Sequence, residues 1–216
     1  MKRRTLDILF SIGGLGIAAL LLIAGLVLTS NANFATTYVA DQLAQQNITF
    51  KTVDALTPEE RALPGMVEYA GQKLTTGKQA ECYANNFIGL HLKSTAGGKT
   101  YADLGAPQSE LRAKIADAQK NNPAAVADLQ KQLNEVTQQR ETVFKGETLR
   151  GLLLTTYGFS EFGTKAGQAA TVAYSAATLM LLLTLAGFAH AFLTPATVPF
   201  AAVEPKKQTT AKPATA

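Results

Sequence analysis

Apolar residues concentrate in two long stretches near the ends of the chain. The first, 8–28, reads ILFSIGGLGIAALLLIAGLVL, with no charge and with Ser11 as its only polar side chain. The second, 172–193, lies in a region from 166 to 203 that lacks Asp, Glu, Lys and Arg. At about 1.5 Å per residue, helices of this length match a hydrocarbon layer of roughly 30 Å. The pattern predicts transmembrane helices at 8–28 and 166–194.

The first stretch has an alternative interpretation, a cleaved secretory signal preceded by Lys2, Arg3 and Arg4. Signal cores typically hold about 7–15 apolar residues and end at a small-x-small cleavage site. This stretch is longer, is followed by SNANFATT without an A-x-A triplet, and has no lipobox cysteine. We therefore favour an uncleaved signal-anchor.

The intervening segment, 29–165, has the pattern of a mainly helical domain. Phe34, Tyr38 and Leu43 continue one helical face beyond the first apolar stretch. The alternation in 48–53 is compatible with a short strand. Thr57-Pro58-Glu59-Glu60 is typical of a helix start, with a cap, a proline and then acids at the positive end of the dipole. A second helix is predicted for 77–93, with one face formed by Ala80, Tyr83, Phe87 and Leu90.

The clearest helical periodicity lies between 111 and 143. Leu111, Ile115 and Ala118 share one face before Asn122, which is placed to cap, and Pro123, which begins a new helix. The new helix carries a heptad seam of Val126, Leu129, Leu133, Val136, Arg140 and Val143. These patterns predict an antiparallel helix hairpin. We favour internal packing of the seam, and the alternative is a coiled coil with another subunit.

The approach to the second apolar stretch is aromatic and then rich in small residues. Tyr157, Phe159 and Phe162 fit an aromatic belt at the membrane interface, or alternatively the lining of a ligand groove. The small residues form two rows, Gly163, Gly167, Thr171 and Ser175 beside Ala169, Ala173 and Ala177, and the first stretch offers Gly14 and Ala18. Such rows allow close helix packing, either between the two helices or with another subunit.

Charge predicts the orientation. The chain has 216 residues and a net charge of +4, but 30–165 carries 14 basic and 14 acidic groups and is neutral. The excess lies in the termini, 1–7 and 195–216, of which the second is rich in Pro, Thr, Lys and Ala and is expected to be disordered. The positive-inside rule then places both termini in the cytoplasm and 29–165 outside the plasma membrane. No domain accumulates a basic face, which opposes nucleic-acid binding.

Few residues suggest a catalytic, redox or metal-binding role. His91 and His190 are predicted on opposite sides of the membrane, which opposes a shared iron or haem site. Cys82 is expected to be a buried thiol or, less readily, an intermolecular disulfide, and Asp7 is expected to pair with Arg4. The acids Glu59, Glu60, Glu68 and Glu81 sit singly. We nominate no catalytic, cofactor-binding or metal-binding residue, and expect no cofactor.

Three segments carry a resemblance: MKRRTLDILFSIGGLGIAALLL, TTGKQAECYANNFIGLHL and FKGETLRGLLLTTYGFSEFG. They resemble an actinobacterial family of two-helix membrane proteins without an established function, over most of the chain. Members are sometimes labelled aromatic ring-opening dioxygenases, but no dioxygenase motif maps onto this sequence. The resemblance implies two membrane helices and a cell-envelope location, and no site residues.

Together these patterns lead to an expectation about function. We expect an integral membrane protein of the cell envelope, a non-enzymatic accessory or scaffolding subunit in contact with the bilayer and with other membrane subunits or copies of itself. The alternatives are an extracytoplasmic ligand-sensing module that acts through a partner and, ranked last, an envelope enzyme that uses Cys82 or unmarked carboxylates.

Overall fold

The computed structural model describes residues 2–195, and it is mainly helical, as predicted. The predicted disorder of the tail concerns residues that, apart from Pro195, lie outside the described ones. Six α-helices follow one another along the described chain: α1 Arg3–Gln45, α2 Pro58–Arg61, α3 Gly77–Cys82, α4 Gly89–Ala96, α5 Gly105–Asn121 and α6 Val126–Leu193. A π-helix, Tyr83–Ile88, joins α3 to α4, and 3-10 turns occupy Val53–Ala55 and Pro123–Ala125.

The chain divides into two compact units. The central unit is Ser30–Gly167, and the terminal unit combines the described residues up to Thr29 with those from Gln168 onward. Helices α1 and α6 contribute residues to both units. Each of the two helices is long and apolar enough to cross a membrane.

Helix α1 confirms the prediction that the first apolar stretch continues as helix beyond residue 28. Its buried and half-buried positions alternate three and four apart, which gives one narrow face. The face consists of Ser11, Gly14, Ala18, Leu21, Gly25, Leu28, Ala32, Ala35 and Val39. A spacing that averages 3.5 residues is the signature of helices packed side by side over a long distance.

The core of the central unit is built around the end of α1. Val39 and Leu43 of α1 pack with Leu153 of α6. The other members of this core are Phe50, Leu56, Met66 and Leu74 from the connecting segments and Ala80, Ala84, Ile88 and Leu92 from the stretch of α3, the π-helix and α4. Residues 48–53 do not form the strand that their alternation suggested. Thr49 makes a single antiparallel bridge to Lys73, flanked by Phe50 N donating to Gln72 O at 2.9 Å and Leu74 N donating to Ile48 O at 2.9 Å.

The stretch predicted as one helix from 77 to 93 is interrupted by the π-helix. One row of its buried positions has a spacing of four, and this row includes the predicted Ala80 but not Tyr83, Phe87 and Leu90, which are only half-buried. The row consists of Ala80, Ala84, Ile88, Leu92 and Ala96. Four residues of α-helix advance by a full turn plus about 40°, so this spacing drifts around a regular helix. The wider π turn offsets part of that drift.

The predicted hairpin is present in α5 and α6. Leu111, Ile115 and Ala118 are buried, as expected. Gln108 of α5 donates to Thr137 Oγ1 at 2.8 Å and accepts from Arg140 at 2.7 Å, so Arg140 of the seam contacts α5 within the chain. The predicted cap is wrong in one respect, because the Asn122 side chain makes no capping hydrogen bond.

Candidate functional site

Glu60 is the most deeply buried carboxylate of the central unit, with 1% of its surface exposed. Helix α2 places it through a capping box: Thr57 Oγ1 accepts from Glu60 N at 3.2 Å, and Glu60 Oε2 accepts from Thr57 N at 2.8 Å. Lys51 Nζ donates to the other oxygen, Oε1, at 2.7 Å. Both oxygens of the buried charge are therefore satisfied, which burial requires.

His91 lies beside this carboxylate, an association that the sequence did not indicate. Its Nε2 is 3.5 Å from Glu60 Oε1, and its Nδ1 is 2.7 Å from the Phe87 carbonyl oxygen, so Nδ1 is the donor there. The ring packs on Phe87 with centroids 4.4 Å apart. Half of the His91 side chain is exposed.

Burial raises the pKa of Glu60, but the hydrogen bonds from Lys51 and from the Thr57 amide outweigh burial and leave that pKa below its ordinary value. The Lys51 charge and, to a smaller extent, His91 act in the same direction. Glu60 is therefore held as a carboxylate, and its contacts are those of a structural ion rather than of a proton donor.

Cys82 is a buried free thiol, which confirms the first of its two predicted states. Its Sγ lies 3.4 Å from the Pro64 carbonyl oxygen and 3.8 Å from Asn86 Nδ2. Burial raises the pKa of this thiol. A raised pKa reduces the fraction of nucleophilic thiolate at neutral pH.

A cavity of about 460 Å³ lies in the central unit beside Arg150. Its charged lining consists of Lys93, Lys99, Arg150 and Glu147. Arg150 Nη1 donates to Glu147 at 3.2 Å, and Nη2 donates to Asn85 Oδ1 at 3.2 Å. Apolar side chains, among them those of α4, and the polar side chains of Asn86 and Thr100 also line the cavity.

The predicted aromatic group near 157–162 is divided among three environments. Phe159 packs edge-on against Phe34 and Tyr38, with ring centroids 6.3 and 5.9 Å away. Tyr157 instead accepts a hydrogen bond from Lys78 Nζ at 2.9 Å, and this bond raises the pKa of Lys78. Phe162 is 77% exposed.

Phe159 also lines an apolar groove of about 450 Å³ in the central unit, between α1 and α6. We call this surface the α1–α6 groove. Its apolar lining consists of Tyr38, Val39, Leu43, Leu149, Leu152, Leu153 and Phe159, and its polar lining consists of Gln42, Gln46, Thr155 and Thr156. The lining of a groove was the alternative prediction for Tyr157, Phe159 and Phe162, and of these three residues Phe159 lines this one.

In the terminal unit, Asp7 pairs with His190 and not with Arg4. The Asp7 Oδ2 to His190 Nδ1 distance is 3.0 Å, whereas the Arg4 guanidinium lies over the Phe192 ring, 5.8 Å from its centroid. The prediction of an Arg4–Asp7 pair is therefore wrong. It rested on residue spacing within one helix, but α6 supplies a partner from 183 positions away.

Close packing in the terminal unit joins α1 to α6 within one chain. A Cβ added at Gly14 would lie 2.6 Å from Thr184 Oγ1, and one at Gly25 would lie 2.6 Å from the Tyr174 ring. Thr29 Oγ1 and Tyr174 Oη are hydrogen-bonded at 3.1 Å. The partners advance in opposite directions along the two helices, so α1 and α6 are antiparallel here.

The residues of α6 that face α1 differ in part from the predicted rows. Thr171, Ser175 and Ala169 are exposed. Buried instead, besides the predicted Gly163, Ala173 and Ala177, are Ala170, Thr184 and Ala191. Gly163, Ala170, Ala177, Thr184 and Ala191 recur every seven residues. A search for small residues at heptad spacing, rather than at intervals of four, would have identified this face.

No family model, curated protein or solved structure matches this chain. Within residues 2–195, no group of three or more His, Cys, Asp and Glu side chains is arranged to hold a metal ion. The described residues thus form a mainly helical protein with two helices suited to a membrane, and they include the buried ion cluster of Glu60, the cavity beside Arg150 and the apolar α1–α6 groove.

Replacing Glu60 with Gln tests the buried ion cluster. Because the folded pKa of Glu60 is depressed, its stabilising effect is complete above the ordinary pKa of about 4.3 and is lost as pH falls through the lower folded value. We expect Glu60→Gln to destabilise the protein by about 1–3 kcal/mol at pH 7 and to weaken the loss of stability below pH 4.5.

The midpoint of thermal unfolding of the full chain in detergent is measured by circular dichroism at several pH values between 7 and 3. Glu135→Gln, which removes an exposed carboxylate from α6, serves as the control. An unchanged midpoint at pH 7 for Glu60→Gln, or the same decline in acid as the parent protein, would contradict the assignment.

Proposed function

We propose that this chain is an integral membrane protein of the cell envelope whose terminal unit crosses the bilayer twice. One observation carries the proposal. In the most apolar 18-residue stretch of each long helix, only 17% of the residues are buried within the protein. The core helix of a soluble protein buries such residues, and soluble monomers rarely expose apolar patches of this extent. Lipid is the solvent that suits this surface.

The proposed orientation follows from charge. Lys2, Arg3 and Arg4 precede the first apolar stretch, three lysines follow the second, and the central unit is neutral. The positive-inside rule favours two cytoplasmic termini and a central unit outside the plasma membrane. The resemblance to actinobacterial two-helix membrane proteins is consistent with this location and is part of the proposal.

Within that arrangement, we assign the protein a non-enzymatic accessory or scaffolding role in a membrane complex. The α1–α6 groove supports the role. Leu152, 62% exposed, and Tyr38, 49% exposed, belong to its apolar surface, and glutamine and threonine side chains border it. An apolar centre with a polar rim is typical of a groove that receives an amphipathic helix. The proposed occupant is such a helix from another membrane subunit.

A ligand-sensing module is the second candidate, and the cavity beside Arg150 favours it. That cavity has the volume of a small-molecule site and lies in the central unit, which would face the outside in the proposed topology. In this candidate role a partner subunit transmits the signal.

Single cysteines in a Cys82→Ala background test the orientation. Lys131→Cys places a thiol on an exposed position of the central unit, and Lys2→Cys places one before α1. In intact cells, a membrane-impermeant maleimide should label Lys131→Cys, and it should label Lys2→Cys only after the membrane is permeabilised. The reverse pattern, or equal labelling of both thiols in intact cells, would contradict the proposed topology.

Affinity purification with quantitative mass spectrometry tests the accessory role. The tagged full chain, solubilised in mild detergent, should retain a recurrent membrane partner. With Leu152→Gln, recovery of that partner should fall at least about tenfold, because the substitution places an amide in the apolar groove. Val67→Gln, which alters another exposed apolar residue of the central unit, should retain it. A lone monomer, or equal recovery with all three proteins, would reject the role.

A further inference from the structure

The cavity beside Arg150 has an excess of positive charge. Its lining includes Lys93, Lys99 and Arg150 against one carboxylate, Glu147, a net charge of +2. Glu147 is paired with Arg150. Among residues 2–195, neither lysine of the cavity has a carboxylate within ion-pair distance. Lys99 has only a longer-range electrostatic interaction, with the Asp103 carboxylate, so neither lysine of the cavity is held in a direct ion pair.

The guanidinium of Arg150 is incompletely satisfied by its neighbours. Its two bonds, to Glu147 and to Asn85, are both 3.2 Å long, at the upper end of the range for such bonds. Its Nε is buried and has no hydrogen-bond partner among the described residues. A buried donor of a charged group is costly to leave unpaired, and a tetrahedral or planar oxyanion can bind Nε and Nη2 together.

We propose that this cavity binds a phosphate monoester that carries an apolar group. The guanidinium of Arg150 turns to hold two phosphate oxygens, and Lys93 and Lys99 neutralise the remaining charge. A phosphate monoester carries about −1.5 to −2 charges at neutral pH, which matches the net +2 of the lining. Leu90, Leu92 and Val143 contact the apolar group.

Two kinds of molecule can present a phosphate monoester to this cavity. A soluble phosphate monoester and a phosphatidate lipid present the same headgroup to the cavity, whose volume of about 460 Å³ accommodates a headgroup or a small metabolite. A ligand with a single carboxylate would neutralise only one of the two net positive charges of the lining, so a dianionic ligand is the better complement. This inference does not depend on the accessory role proposed above.

Calorimetric titration of the full chain in neutral detergent, at constant ionic strength, tests the soluble source with phenyl phosphate as the probe. Lys93→Gln and Lys99→Gln should each weaken binding about tenfold. Both lysines are exposed, so these variants retain the fold. Lys131→Gln, which removes one exposed positive charge elsewhere in the central unit, should bind as the parent protein does.

Native mass spectrometry of the same four proteins, released from mixed micelles of neutral detergent and phosphatidylcholine that contain some phosphatidate, tests the lipid source. Binding of either probe, weakened by Lys93→Gln and Lys99→Gln but not by Lys131→Gln, supports the site, and the probe that binds identifies the source. Absence of binding to both probes at millimolar concentration, or equal weakening by Lys131→Gln, overturns the proposal.

Discussion

The structure depends on how closely the backbones of α1 and α6 approach one another. In the terminal unit Gly14 and Gly25 leave space only for the side chains of Thr184 and Tyr174, and Gly187 does the same for Ser11. In a bilayer, apolar side chains gain nothing by leaving lipid for protein, so close van der Waals contact and hydrogen bonds must hold two helices together. Small residues at three- and four-residue intervals along each helix allow this close contact.

The same pair of helices provides the framework of the central unit. Gly163 approaches Ala35 so closely that an added Cβ would lie 2.7 Å from the alanine methyl group. Val39 and Leu43 of α1 and Leu153 of α6 then enter the main core with the short helices. The elements between 48 and 96 are brief and are fixed by that core and by the Glu60 cluster. They leave the cavity beside Arg150 and the α1–α6 groove open to other molecules.

Features with strong local signals were predictable from sequence. The two apolar helices, the start of α2 at Thr57 and the buried face of Leu111 and Ile115 follow from hydropathy, capping and periodicity, and the structure confirms them. Local signals failed where a distant residue decides the outcome. Asp7 pairs with His190, and His91 approaches Glu60 across 31 positions of the chain. The cavity beside Arg150 depends on α4 and α6 meeting, which no spacing along one helix reveals.

A cysteine pair at Gly14 and Thr184 tests the packing of α1 on α6 most directly. The Cβ of a residue at 14 would lie 3.8 Å from that of Thr184, the mean separation in disulfides. In a Cys82→Ala background in native membranes, mild oxidation should give a disulfide within the monomer for Gly14→Cys/Thr184→Cys. Gly13→Cys/Thr184→Cys should not react, since no neighbour lies within 4 Å of a Cβ at 13. Disulfide-linked dimers from the first pair, or equal reaction of both pairs, would contradict the account.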